Sequence, residues 1–154
     1  MIRKIVPDVI SGQTLCTIRP EDTVRTAARL MRERKVAAVL VMDAERLVGI
    51  ITERDMTARV IAAGLNPEIS TARDIMTADP DTLSPDHTAA DAIRMMKLHN
   101  YRHLPVVDGA PGGQKKVVGM VSVRDLYAVY NTELEQDLAH RNAFIYGESY
   151  GASA

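Results

Sequence analysis

The chain has 154 residues, room for one compact domain with a sizeable core, and a net charge of -1 that gives no global attraction for nucleic acid. Hydrophobic residues (46%) and charged ones (25%) have globular proportions, while aromatics at 4%, with no Trp, are too few for a base-stacking platform. The one cysteine, Cys16, excludes an internal disulfide, and no apolar run approaches the ~20 residues that cross a bilayer. The opening residues lack a signal-peptide core, so a soluble cytoplasmic protein is expected.

In chain order, residues 15–18 read as a short extended piece closed by Pro20. Glu21-Asp22-Thr23 forms an N-cap region. The helix it starts carries Val24, Ala27, Ala28 and Met31 on one face, the spacing of a single buried stripe. Residues 36–42 and 47–51 are apolar runs of strand length. A second helix is predicted after Thr52, ending near Ala63-Gly64, with Asn66-Pro67 as a stop. Then the order begins again. Thr82 and Leu83 form an extended piece closed by Pro85, and Asp86-His87-Thr88 starts a helix faced by Ala89, Ala92, Ile93 and Met96. Residues 104–107 and 117–121 read as strands, and a helix follows Ser122. Beyond Tyr130 a helix is predicted over 133–141, then a mobile Gly- and Ser-rich end. Some of the late aromatics Tyr127, Tyr130, Phe144, Tyr146 and Tyr150 are expected to pack the tail onto the body, with partner contact as the alternative.

The recurrence is in the residues as well as the elements. Shifted by 65 positions, residues 17–43 fall on 82–108 with eight of 27 pairs identical. From residue 47 the offset is 70, and four of ten pairs are identical: Val48/Val118, Gly49/Gly119, Arg54/Arg124 and Asp55/Asp125. The five extra residues fall in the glycine-rich turn at 109–116, where insertion is cheap. The units implied are residues 8–66 and 67–131, with a tail over 132–154.

One pattern occurs in both copies where a strand hands over to a helix. Gly49-Ile50-Ile51-Thr52-Glu53-Arg54-Asp55 returns as Gly119-Met120-Val121-Ser122-Val123-Arg124-Asp125. As local structure it is capping-box spacing, although Asp is short for the reciprocal half, where Glu or Gln is usual. As a site it is also coherent. A helix N-terminus with a hydroxyl suits phosphate or ribose oxygens, a carboxylate can accept both hydroxyls of a ribose, and glycine permits close approach. Arg54 and Arg124 read equally well as solvated helix charges.

The two copies resemble paired cystathionine β-synthase (CBS) domains, the tandem unit called a Bateman module, over residues 9–130. The repeated motif carries the resemblance, with Tyr101-Arg102-His103-Leu104-Pro105-Val106-Val107-Asp108 and Asp74-Ile75-Met76-Thr77. It implies an α/β (α+β) fold of two tandem βαββα units in a pseudo-two-fold, disc-like module. It further implies an AMP, ADP or ATP ligand in the inter-repeat cleft, with S-adenosylmethionine or NAD as alternatives. By the same resemblance Asp125 binds ribose, Ser122 and Arg124 lie beside it, and Arg102 and His103 reach toward phosphate. Thr82, Met76 and Thr77 would line the adenine pocket. Thr52 and Asp55 offer a poorer second set, because Ala37 and Ala38 stand where Arg102 and His103 stand in the other copy, and Leu40 replaces Pro105.

No nucleophile–base pair or paired acids demand catalysis, and His99 and His103 lack a third metal ligand. The expectation is a non-catalytic regulatory, energy-sensing module without an obligatory cofactor. It would form a homodimer and signal to a separate effector protein by conformational or oligomeric change. The alternative is a dimeric scaffold that needs no ligand.

Overall fold

Thr23 and Thr88 begin equivalent helices in the same way. In the computed structural model of the chain, which describes residues 2–147, each hydroxyl accepts the backbone N–H three residues on, from Thr26 and from Asp91, at 3.1 Å. The helices so started are α1 (Val24–Arg34) and α4 (Ala89–His99). They bury Val24, Ala27 and Met31, and Ala89, Ala92 and Met96, from the two predicted faces. Both end on a left-handed residue, Lys35 at φ 54° and Asn100 at φ 57°, which turns the chain into the following strand.

In the first half, β1 (Thr17–Ile18) runs parallel to β2 (Ala38–Asp43), which pairs antiparallel with β3 (Arg46–Thr52). In the second half, β5 (His103–Asp108) pairs antiparallel with β6 (Lys116–Ser122). Leu83 bridges to Val106 there as Ile18 pairs with Val41. The register slips between Val41 and Met42 and again between Val106 and Val107, so even the irregularity of the hairpin is repeated.

The lead-in to each copy packs on the other copy. Strand β4 (Thr77–Ala78), which opens the second repeat, pairs with Gly49 and Ile50 of β3. The short helix before it, α3 (Ala72–Ile75), places Ala72 and Ile75 in a core with Ile18, Val39, Ile51 and Val60. Reciprocally, Ile5 and Ile10 enter the second core with Leu83, Leu104, Val106 and Val121. Lys4 bridges to Thr88 and Thr71 to Thr23, one crossing each way. A third cluster, Ala38, Leu40, Ile50 and Val117, forms where the two sheets meet.

The close approach of these lead-ins explains the motif glycines. A Cβ at Gly49 would collide with the side chain of Met76, and one at Gly119 with Ile10 Cδ1 and Gln13 Oε1. What each glycine admits is therefore a neighbouring side chain.

The helices that follow the two motifs differ. After Thr52, α2 (Glu53–Asp55) runs on into wider i→i+5 turns over Met56–Ile61. After Ser122, α5 (Val123–Gly147) is a single helix of 25 residues. It has no break near Tyr130, and the predicted 133–141 segment lies inside it. Of the tail aromatics whose side chains are described, Tyr127, Tyr130 and Phe144 are 66%, 38% and 70% exposed, so the expected packing does not occur at these three. The Arg3–Glu133 ion pair, at 2.9 Å, ties the helix to the N-terminal lead-in instead. Tyr150, the side chain of Tyr146 and most of the predicted mobile end lie outside the described residues. No helix among those residues is long and apolar enough to cross a membrane.

Candidate functional site

The two motifs build the same cap. Asp125 Oδ2 accepts the Ser122 backbone N–H at 2.7 Å and the Ser122 hydroxyl at 2.8 Å, while the Asp125 N–H donates back to Ser122 Oγ at 3.2 Å. Thr52 and Asp55 make the same set at 2.8, 3.1 and 3.3 Å. Aspartate is thus long enough to close the box, against the expectation from its length, because the hydroxyl donates to the oxygen that holds the N–H. In both caps the oxygen used is Oδ2, so Oδ1 stands outside the box.

The strands place the partners of these caps. His103 pairs with Ser122 across β5–β6, and Ala38 pairs with Thr52 across β2–β3. The Arg102 carbonyl accepts the Val123 N–H at 3.0 Å, as the Ala37 carbonyl accepts that of Glu53. Residues 37–38 and 102–103 are therefore equivalent in space, and only the second pair presents basic groups.

Both caps open into one cleft of about 1710 Å³ between the copies. Its lining contains Thr52, Asp55, Ser122, Asp125, Arg102, His103, Arg124 and Thr77. The two other residues expected there are absent from the lining. Met76 is turned over Gly49 instead, and Thr82 sits at the sheet edge beside Leu83. Six cationic residues (Arg32, Lys35, Arg54, Arg59, Arg102, Arg124) face four carboxylates (Glu53, Asp55, Asp81, Asp125). The cleft is cationic in a chain whose net charge is negative, which favours an anionic occupant.

Burial holds the His103 imidazole below its usual range; Arg102 pushes the same way, and Asp125 and Glu53 pull against them. Near neutral pH His103 is therefore an uncharged donor or acceptor, and Arg102 supplies the fixed charge on this wall.

Three further groups were not singled out as site residues from the sequence. The Tyr101 hydroxyl donates to Asp81 at 2.9 Å, and its ring stacks on His99 at 5.2 Å. Arg54 crosses from the first motif to the α4 cap, its Nη1 donating to the Asn100 carbonyl at 3.3 Å. Arg59 reaches from α2's continuation to Asp55, Nε to Oδ1 at 3.6 Å, and donates through Nη1 to the Ile75 carbonyl at 2.8 Å. Tyr101 could have been noticed as the aromatic beside Arg102 where the first copy has Val36; Arg59 only by its contrast with Val129, 70 positions on. Among the described residues no cluster of three His, Cys, Asp or Glu could hold a metal ion.

Comparison with known proteins agrees with this architecture. The fission yeast Schizosaccharomyces pombe "Meiotically up-regulated gene 70 protein" is 36% identical over 114 residues, 70% of this chain but 16% of that protein. The chain spans less than a fifth of each of the three curated relatives that head the comparison. A putative signal-transduction protein with CBS domains from Burkholderia ambifaria superposes with a TM-score of 0.70 at 34% identity, covering 75% of this chain and 82% of that one. The CBS domain protein PAE2072 from Pyrobaculum aerophilum, solved in complex with AMP, gives 0.65 at 25% identity, covering 75% and 85%. CBS-domain proteins are regulatory nucleotide-binding modules. The CBS-domain profile matches residues 1–62 and 72–131, and the chain belongs to the CBS-domain family as a tandem pair.

Proposed function

We propose that the cleft binds an adenine nucleotide and that the chain is a non-catalytic regulatory module whose bound state is read by a separate effector protein. The observation that carries this reading is the second-copy wall. Asp125 has an oxygen outside its cap and forms no ion pair among the described residues, while His103 opens the adjacent strand and Arg102 stands just ahead of it. A carboxylate for ribose and a guanidinium for phosphate are what a nucleoside phosphate requires of its first contacts. AMP, ADP or ATP fit this cationic cleft better than the cation S-adenosylmethionine; NAD fits by size. We place the protein in the cytoplasm, acting as a homodimer.

The test is calorimetric titration with AMP, ADP, ATP, S-adenosylmethionine and NAD, repeated on Asp125→Ala and Asp55→Ala. Both substitutions open a cap and are expected to cost about 1 kcal/mol of stability. Only Asp125→Ala is expected to weaken nucleotide binding, by about 100-fold or more through loss of two charge-assisted hydrogen bonds. Equal losses in the two variants, or no binding of any compound by the parent protein, would overturn the reading.

A scaffold reading is favoured by a different observation. Tyr127, Leu134, Leu138 and Ile145 recur on one side of α5, all exposed. Sedimentation of the parent protein and of Asp125→Ala, each with and without nucleotide, decides it: a parent dimer indifferent to nucleotide supports the scaffold, and a parent dimer that changes with nucleotide while the Asp125→Ala dimer does not supports the sensor.

A further inference from the structure

We infer that Arg59 occupies the ribose edge of the first half of the cleft, so that the chain holds one adenine nucleotide where its repeat would otherwise offer two places. The inference rests on the reading above that the cleft takes such a nucleotide, and it concerns only how many.

The two caps are the same, hydrogen bond for hydrogen bond, so each by itself would leave one carboxylate oxygen for a sugar. Their surroundings remove the equivalence. Asp55 Oδ1 faces Arg59 Nε at 3.6 Å. That separation is a charge contact; the guanidinium is fixed by its other end, where Nη1 donates to the Ile75 carbonyl at 2.8 Å. Arg59 therefore spans from the motif carboxylate to the end of α3, just ahead of Thr77, and forms part of the cleft wall.

A ribose hydroxyl approaching Asp55 meets an oxygen already facing a positive group, and a neutral hydroxyl cannot replace that charge. To enter, the sugar must also free Arg59 from the Ile75 carbonyl, leaving that acceptor without its donor. In the second copy the position 70 residues on is Val129, which can make neither contact, and Asp125 has no ion pair among the described residues. Ala37 and Ala38 add no phosphate contact on the first side, so nothing there offsets displacing the arginine. One arginine against one valine turns a symmetric pair of caps into one open place and one closed.

The experiment is a calorimetric titration with AMP of the parent protein, Arg59→Val, Arg59→Gln and the double variant Arg59→Val/Asp55→Ala. Circular dichroism melting of each confirms that it is folded. Valine copies the second repeat, and glutamine keeps much of the stem without the charge, which guards against a folding defect in either one. The parent is expected to bind one AMP per chain. Both single variants are expected to bind two, the second about tenfold or more weaker for want of an Arg102 counterpart. The double variant is expected to return to one. Two AMP per chain in the parent, or one in both folded single variants, would overturn the inference and leave the nucleotide reading standing. Absence of AMP binding in the parent, and of any other adenine compound, would remove that reading and this inference together.

Discussion

At Thr52 and at Ser122 the chain makes the same three hydrogen bonds, but Asp55 looks onto Arg59 with Ala37 and Ala38 at the start of β2, whereas Asp125 looks onto His103 with Arg102 beside it. The comparison separates two demands that a motif hides. The fold needs a capped helix at each strand end, and both copies supply it. A ligand needs charge and access around the cap, and these lie on residues outside the motif. The repeat therefore conserves geometry while leaving chemistry free to diverge, and the two halves can be tested against each other within one molecule.

The strongest test of that comparison concerns the exchanged lead-ins. Ile5 and Ile75 are both fully buried, each in the core of the opposite copy. Ile5→Ala and Ile75→Ala are each expected to cost about 2–5 kcal/mol, read as a shift in denaturant midpoint. Hydrogen exchange should show the crossing directly. Ile5→Ala loosens β5 and β6, although Ile5 lies ahead of the first repeat, and Ile75→Ala loosens β2 and β3. If each substitution instead loosened the repeat that follows it in sequence, the exchanged packing would be wrong.

A smaller difference is expected at the motif glycines. At Gly49 an added Cβ would crowd three atoms of Met76 back to its Cβ, which sits 3.0 Å away. At Gly119 the crowding falls on the tips of Ile10 and Gln13, which can swing aside. Gly49→Ala is expected to cost about 1–3 kcal/mol by overpacking, and Gly119→Ala less. The order of the two denaturant midpoints checks it; a reversed order would mean that Met76 gives way more easily than Ile10.

These contrasts also mark what sequence could reach. The caps at Thr23, Thr88, Thr52 and Ser122, the faces of α1 and α4 and the two hairpins were legible because each depends on residues within a few positions of one another. The equivalence of Ala37-Ala38 with Arg102-His103 was legible because the repeat supplied its own alignment. The exchange of lead-ins was not, since Ile5 meets Leu104 across about a hundred residues and nothing local marks the pairing. Met76 was misplaced for the same reason: its role over Gly49 is set by the crossing of β4 onto β3. The unbroken α5 could have been read from the absence of Gly and Pro between Val123 and Ala143, but the end of the repeat suggested a boundary that the helix does not observe.

The finest difference between the halves is one imidazole. Burial first, and Arg102 second, hold His103 below the 6.5 of a free histidine. A group whose folded pKa lies below its unfolded value favours folding above the unfolded pKa, because the unfolded chain takes up the proton first. Stability is therefore expected to be full above about pH 6.5, to decline as the pH falls below it, and to level off once the folded imidazole also protonates. His103→Asn removes the titration and should flatten this part of the denaturant-midpoint profile. The effect should be local as well as small. The position equivalent to His103 in the first copy is Ala38, so protection at β5, taken relative to the intrinsic exchange rate at each pH, should fall on acidification while that at β2 stays unchanged. Equal loss of protection in both strands, or a decline that survives in His103→Asn, would place the proton elsewhere and erase this last distinction between the two halves.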